Sequence, residues 1–579
     1  MKKNLEVKRM KIRPPFLVFP SSVPKGMKRF SQVLTVIAFF FLYLFFPHLP
    51  IWGTEKKIPL AFFGKYKIDY QTGEISLNFQ KMISATPKPF YPTFILGYHS
   101  YQSQKGIFGR KWTSNLEMKL LIQKNKILFL SPHENEGLSF LPDPVHPNLY
   151  KSQWGRVLKL EKREKDWLLK GSPWIHYRFS QDGRLLEVRH LSGKFLQYIY
   201  DPQGQLVEIR NHLGDFLRCS YKEGRLTEIR HSSRDILQFD YNEQGDIKTL
   251  WDSKGRHLSF AYDLKGHIIS VNGGALELHY NSKDQIEIID GSSVFRKMLS
   301  YRITPEAMIT TVEDSQGNRT SYEFSKLGDS FRMVDAADNS YIYYLNKRRL
   351  VDMAVAPENQ MTRFRYDRLG NLTEIIDPMG RSSRITYDKE GRVLSTRDYL
   401  GRSWHFQYFS NGLLAKIIDP LGEFQAFQYD SRGQLIKILS SCGTWMQYEY
   451  NKQGYVTKIR SSQGLEKSLA YDEKGRPVEI REKGISWRFR YSSDNRTITL
   501  EGPQEIRLQW KINLMGKVVE MQNSLGQKTV FDYNEKNLLQ GVQYPDGSFS
   551  SFRYDELGRM IEFRDPDGRC QKFLYDSLG

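Results

Sequence analysis

The sequence predicts an all-β protein, a long array of β-hairpins of about 21 residues each behind a small β-rich N-terminal domain. Three observations carry this. Between Phe364 and Arg476, glycine falls at Gly370, Gly380, Gly391, Gly401, Gly412, Gly422, Gly433, Gly443, Gly454, Gly464 and Gly475, in steps of ten and eleven. Every second one closes a Tyr-x-x-x-Gly frame: Tyr366/Gly370, Tyr387/Gly391, Tyr408/Gly412, Tyr429/Gly433, Tyr450/Gly454 and Tyr471/Gly475. The segments between glycines, such as Phe424-Gln-Ala-Phe-Gln-Tyr429, are aromatic or β-branched and partly alternate, as strands do.

A fixed period of this length marks an array of small supersecondary units. Twenty-one is also three heptads, so a coiled coil has to be excluded. Glycine at this density would cost a helix about 1 kcal/mol per site, and no a/d stripe runs between the glycines. Neither Leu-x-x-Leu-x-Leu nor Gly-Gly-x-Gly-x-Asp recurs, so leucine-rich and calcium-binding solenoids fit worse. One repeat is therefore one hairpin with two turns.

The turn residues supply the mechanism. Asp or Asn after Tyr (Asp367, Asp388, Asp430, Asn451, Asp472) can hydrogen-bond the backbone ahead of it, and the glycine supplies positive φ. The alternate turns open on a polar starter, as in Asp377-Pro-Met-Gly380, Asp398-Tyr-Leu-Gly401 and Asp419-Pro-Leu-Gly422. Where the frame lacks glycine, Asn495 and Asn537 stand in its place, and Asn tolerates that conformation next best.

Tyr387-Asp-Lys-Glu-Gly-Arg392, Tyr471-Asp-Glu-Lys-Gly-Arg476 and Tyr554-Asp-Glu-Leu-Gly-Arg559 resemble the YD repeats of the rearrangement hotspot (Rhs) family, shared with bacterial toxin complexes and animal teneurins. The resemblance covers residues 175–579. It implies hairpins wound into a spiralling β-sheet that encloses a hollow shell, and in bacterial members a toxic C-terminal domain inside or beyond it.

From the beginning, residues 1–30 hold nine Lys/Arg and one Glu, which is +8 of the formal +20. The fourteen-residue apolar run Val33 to Phe46 would reach about 21 Å as a helix, short of a bilayer core of about 30 Å. Residues 1–53 are thus read as a basic leader with a signal peptide, an uncleaved anchor being the alternative, and Met27 as a second candidate start. Residues 54–145 lack the clock. Their Asp69-Tyr-Gln-Thr-Gly-Glu74 and Gly106-Ile-Phe-Gly-Arg-Lys-Trp112 resemble the domain before the repeats in many Rhs proteins; read by residue type alone, Gly73 and Gly109 are turn glycines and Trp112 is core. Residues 146–174 form a charged connection, and the repeats run from 175, losing their regularity between Tyr280 and Lys347.

Signals for chemistry are sparse. Nine of twelve histidines lie between His133 and His279, but His190, His212 and His231 recur at turns of successive repeats. Same-side turns lie two strand spacings, about 10 Å, apart, too far for one zinc ion, so they read as solvated turn residues. Asp377, Asp398 and Asp419 meet the same objection as a paired-carboxylate site and read as turn caps. His133-Glu-Asn-Glu-Gly137 lacks the second His of a zinc protease, and no nucleophile elbow or phosphate loop occurs. Cys219, Cys442 and Cys570 form neither a disulfide framework nor a ligand cluster. No catalytic residue, cofactor or metal is expected, and the resemblance supplies none, because the self-cleaving segment of Rhs shells has no counterpart here.

The expected function is an exported shell that encapsulates or delivers a toxin cargo or partner chain. The alternatives are an adhesin or glycan-binding protein, with Trp251, Tyr399 and Tyr455 as contacts, and a remnant of a longer toxin gene. Lys and Arg outside the leader are scattered, so nucleic acid is not expected as a partner, and a membrane is expected only through the N-terminal segment. The last frame, Tyr575-Asp-Ser-Leu-Gly579, stops at a turn glycine, from which a downstream polypeptide completing the shell is expected.

Overall fold

The computed structural model describes residues 56–57, 65–80 and 92–575, apart from short interruptions at 104, 132–136, 154–156, 172–174, 191–192, 233–234, 254, 292–295, 474, 494–495, 514–516, 535–537 and 556–558. The leader, Asn495, Asn537 and the final turn at 576–579 lie outside the described residues. The described fold is all-β; its one helical element is the 3-10 turn Pro357–Asn359. No helix among the described residues is long and apolar enough to cross a membrane.

A five-stranded sheet comes first, with Lys56–Lys57, Lys65–Ile68, Ile75–Gln80, Ile95–His99 and Trp112–Ser114 bonded in that order. Lys105–Gly106 and Gly109–Arg110 add a short hairpin beside it. A second sheet then starts at Lys119–Ile122 and runs strand by strand to Cys570–Lys572, each strand antiparallel to its neighbours in sequence. Residues 146–174, expected as a connection, contribute Leu149–Ser152, Lys159–Lys162 and Asp166–Lys170 to this ladder. It also passes unbroken through the irregular stretch, where Arg296–Ile303 and Ala307–Asp314 lengthen to eight residues.

The sheet curls tightly at its start. Lys119 bridges Arg184, and the Leu120 N–H donates to the Gly183 carbonyl at 2.8 Å, so the first strands close onto the hairpin that follows them. At the other end, Cys570–Lys572 pairs only with Met560–Arg564 among the described residues. Further along, the sheet returns beside itself. The Val157 N–H donates to the Leu369 carbonyl at 2.9 Å, and Gly454 lies against Leu213. These partners are 212 to 241 residues apart in sequence, so successive windings of one spiral touch edge to edge.

Each hairpin shows why the repeat has its length. Phe424–Tyr429 pairs with Leu435–Ser440, Phe427 opposite Ile438, and the register shifts by a bulge between Gln428 and Tyr429. At the turn, the Gly433 N–H donates to the Asp430 carbonyl (3.0 Å) and the Asp430 N–H to the Gln434 carbonyl (2.9 Å). This is a type I turn followed by a left-handed residue, the three-residue hairpin loop that matches strand twist. Where glycine is missing, Asp284, Asp338 and Arg349 take positive φ instead.

The core forms where the two sheets meet. Phe239 and Phe260 of the first winding, buried together with Leu237, Leu250 and Leu258, lie against Phe79, Phe94, Phe108 and Trp112 of the N-terminal domain. Their rings stand 5.1 to 5.9 Å apart between centroids.

Candidate functional site

The tyrosine that marks each repeat couples one hairpin to the next. The hydroxyls of Tyr366, Tyr387, Tyr408, Tyr429, Tyr450 and Tyr471 donate to the carbonyls of Val351, Leu372, Val393, Leu414, Leu435 and Val456, each fifteen residues earlier and 2.6 to 3.0 Å away. Partial burial pushes the hydroxyls of Tyr366, Tyr408 and Tyr450 up to about 12, so they remain donors at neutral pH. The carboxylates after these tyrosines serve their own turns. Asp367 Oδ1 accepts the N–H of Leu369 (2.9 Å) and Asn371 (2.8 Å), and Asp388 and Asp430 bind the same two turn positions in their repeats. Asp472 Oδ1 accepts the Arg476 N–H at 2.9 Å.

The arginine after the glycine joins both systems. Arg392 and Arg476 donate to the second oxygens of Asp388 and Asp472. Their guanidinium groups then lie over Tyr408 and Tyr491 of the next repeat, 5.0 and 4.0 Å from the ring centroids. Gly370, Gly391, Gly433 and Gly475 close these turns, and Gly380 and Gly401 close the alternate ones, all at positive φ. Asp377, Asp398 and Asp419 each bind two N–H groups of their own turn and do not converge.

One histidine differs from its expected setting. His231 is buried, 1% exposed, and not a solvated turn residue. It is the last ladder residue of Arg225–His231, directly opposite Leu217, and therefore shares that residue's covered face. Burial pushes its imidazole below the ordinary value, against the pull of Asp235 and Asp215.

The seat of the N-terminal domain is the other feature, and the sequence signal for it was faint. Arg110 reaches the fully buried Asp246 of the repeat sheet, with Nη2 and Nε 2.7 and 3.0 Å from Oδ2, while its own N–H donates to Oδ1 at 2.6 Å. The Tyr98 hydroxyl accepts the Ile268 N–H at 3.0 Å, and Trp112 Nε1 donates to the Tyr262 hydroxyl at 3.0 Å. Main chain joins main chain as well: the Ile247 N–H donates to the Phe108 carbonyl (3.1 Å) and the Ile286 N–H to the Gly73 carbonyl (2.9 Å). Gly73 and Gly109, read as turn glycines, are also points of close approach; a Cβ at Gly109 would stand 2.5 Å from Asp246 Cα. The domain thus sits on the Tyr-Asp rim of the first winding.

Such an array, a spiral sheet of coupled hairpins with a domain fixed to one rim, defines a structural scaffold. Residues 167–321, 276–461 and 440–578 match the teneurin YD-shell model, and the chain belongs to that family. Residues 65–138 match a domain of unknown function (DUF6531). Among solved structures, the chain is similar to TcdB2-TccC3-Cdc42 and to TcdB2-TccC3-TEV, each at 12% identity and a TM-score of 0.39, covering 83% of this chain and 31% of that one. It is also similar to TcdB2-TccC3 without its hypervariable C-terminal region (10% identity, 94% and 36% covered, TM-score 0.37) and to the Tc holotoxin pore of Photorhabdus luminescens (10%, 86% and 34%, 0.31). The chain therefore spans about a third of the length of these structures. No curated protein matches it.

Proposed function

We propose that this YD-shell scaffold is the wall of an exported container that encloses or delivers a toxic or partner polypeptide, with no activity of its own. The carrying observation concerns one face of the sheet. In the first winding, Phe239 and Phe260 lie under the N-terminal domain. From Gln360–Tyr366 onward, the described strands pack chiefly against their ladder neighbours; of the equivalent side chains, Ile385, Phe406 and Phe427 are buried, and Tyr448, Leu469, Phe489, Trp510, Phe531 and Phe552 are half-buried. A sheet with an apolar face ordinarily buries it under a second layer. A single layer that keeps such a face suits a wall curved around contents.

Electron microscopy of the purified full chain tests this: a hollow particle is expected, and an extended ribbon or a solid particle contradicts it. Co-expression with the polypeptide encoded beside it should make that polypeptide resistant to added protease. Export has its own test, a reporter fused after Thr54, which should leave the cytoplasm or become membrane-associated. The adhesin reading has less support. Tyr399 is 49% exposed, but Tyr455 stacks on Tyr471 at 4.9 Å between centroids, and Trp251 is half-buried.

A further inference from the structure

Cations that lie scattered through the sequence gather on one face of the sheet. A strand sends successive side chains to opposite faces, so from Gln360–Tyr366 to Leu435–Ser440 the apolar face of Ile385, Phe406 and Phe427 is backed by a polar one. Across these eight strands the polar face carries Arg363, Arg365, Arg384, Arg397, Lys416 and Lys437 against one carboxylate, Glu374. Glu374 already binds Arg365 and Arg384, at 3.1 and 2.9 Å. Arg384 also stands directly opposite Arg397, and like charges so placed repel. Arg363, Arg397, Lys416 and Lys437 have no carboxylate partner among the described residues. Elsewhere this face is compensated. In the first winding, Arg189, Arg210 and Arg230 pair with Glu187, Glu208 and Glu228 of their own strands, and beyond the patch carboxylates return at Glu449, Glu466 and Glu479.

We propose that this patch binds a linear acidic polysaccharide that carries a carboxylate on every second sugar. Lys416 and Lys437 hold the same place in successive repeats, two strand spacings and a two-residue stagger apart, which is about 12 Å. Each ammonium lies over a ring of the next strand, Lys416 Nζ 3.8 Å from the Phe424 centroid and Lys437 Nζ 5.7 Å from that of Trp445, so both are positioned before a ligand arrives. The exposed amides of Gln407 and Gln428 stand beside these lysines on the neighbouring strands, where they can bond sugar hydroxyls. The spacing selects among polyanions. Cations this far apart suit charges set one disaccharide apart, whereas duplex DNA presents one charge per about 1.7 Å of its axis. An anionic bilayer is matched less well, because among the described residues of this face Met361 is the one large apolar side chain that is exposed, and there is little to insert. The patch is independent of what the shell encloses and uses none of Trp251, Tyr399 and Tyr455.

Lysine acetylation of the purified full chain, read by mass spectrometry with and without hyaluronan, tests the proposal, since that polymer bears one carboxylate per disaccharide. The basic leader also attracts polyanions, so the readout is the individual lysine and not total binding. Hyaluronan should slow acetylation of Lys416 and Lys437 at least about fivefold, less as salt rises, and leave the exposed Lys248 of the first winding unchanged. Uncharged dextran should protect none of them. Lys416→Gln should lower the protection of Lys437 at least about threefold, Lys416→Arg should restore it, and Lys248→Gln should have no effect. Equal reactivity of Lys416 and Lys437 with and without hyaluronan would overturn the proposal. So would protection of Lys437 that survives Lys416→Gln undiminished, or stronger protection of the two lysines by single-stranded DNA or by phosphatidylglycerol vesicles.

Discussion

The Tyr387 hydroxyl donates to the carbonyl of Leu372 at 2.8 Å, reaching back across a turn to the hairpin before its own. Its equivalents run from Tyr200 on Leu185 to Tyr575 on Met560. In an array, stability is close to a sum of repeat terms and neighbour terms, so this bond belongs to the second kind. Tyr387→Phe should cost about 1 kcal/mol. Hydrogen exchange should quicken between residues 372 and 397 and stay unchanged beyond 539. Uniform acceleration along the sheet would show that the bond is not a local coupling.

Two glycines separate backbone cost from steric cost. Gly380 has φ +78° and open space around an added Cβ, so Gly380→Ala should lose only the left-handed penalty of about 1 kcal/mol. Gly475 has φ +74°, but a Cβ there would overlap the Tyr455 ring that stacks on Tyr471. Gly475→Ala should therefore be clearly the worse of the two in urea denaturation. Equal losses would mean that the ring gives way freely.

Asp246 holds the N-terminal domain to the first winding. Asp246→Ala leaves the Arg110 guanidinium, 30% exposed, without its carboxylate and should cost about 3 kcal/mol at this contact. Limited proteolysis should then cut between residues 95 and 116 well before the repeats. Asp246→Asn, which keeps an acceptor, should be cut more slowly. Protection equal to the parent in Asp246→Ala would assign the seat to the aromatic contacts alone.

Stability should fall on acidification through the histidines. Burial holds His231 below its ordinary value of 6.5, and His176, His190 and His212 shift the same way, chiefly by desolvation. The unfolded chain therefore takes up protons first, so this stability is complete above about pH 6.5 and is lost as pH falls toward the folded values. The melting temperature should drop between pH 7 and 5.5, and His231→Gln should flatten that drop. An unchanged profile in the variant would place the acid sensitivity elsewhere.

The sequence by itself determined the hairpins. A glycine every ten or eleven residues and a Tyr-Asp-x-x-Gly frame are local rules, because a turn needs positive φ and a carboxylate within a few residues, and both stand in the text of the chain. The all-β class and the membership in the YD-shell family followed from that regularity. Only the tertiary structure decided what the hairpins touch. The meeting of Leu213 with Gly454, of Arg110 with Asp246 and of His231 with a covered face depends on how tightly the sheet winds. Winding is the sum of small twists over many strands, and no single repeat encodes it. The Tyr387 to Leu372 bond stands between these cases: its spacing recurs in the sequence, but its meaning needed the sheet to place a hydroxyl beside a carbonyl fifteen residues away.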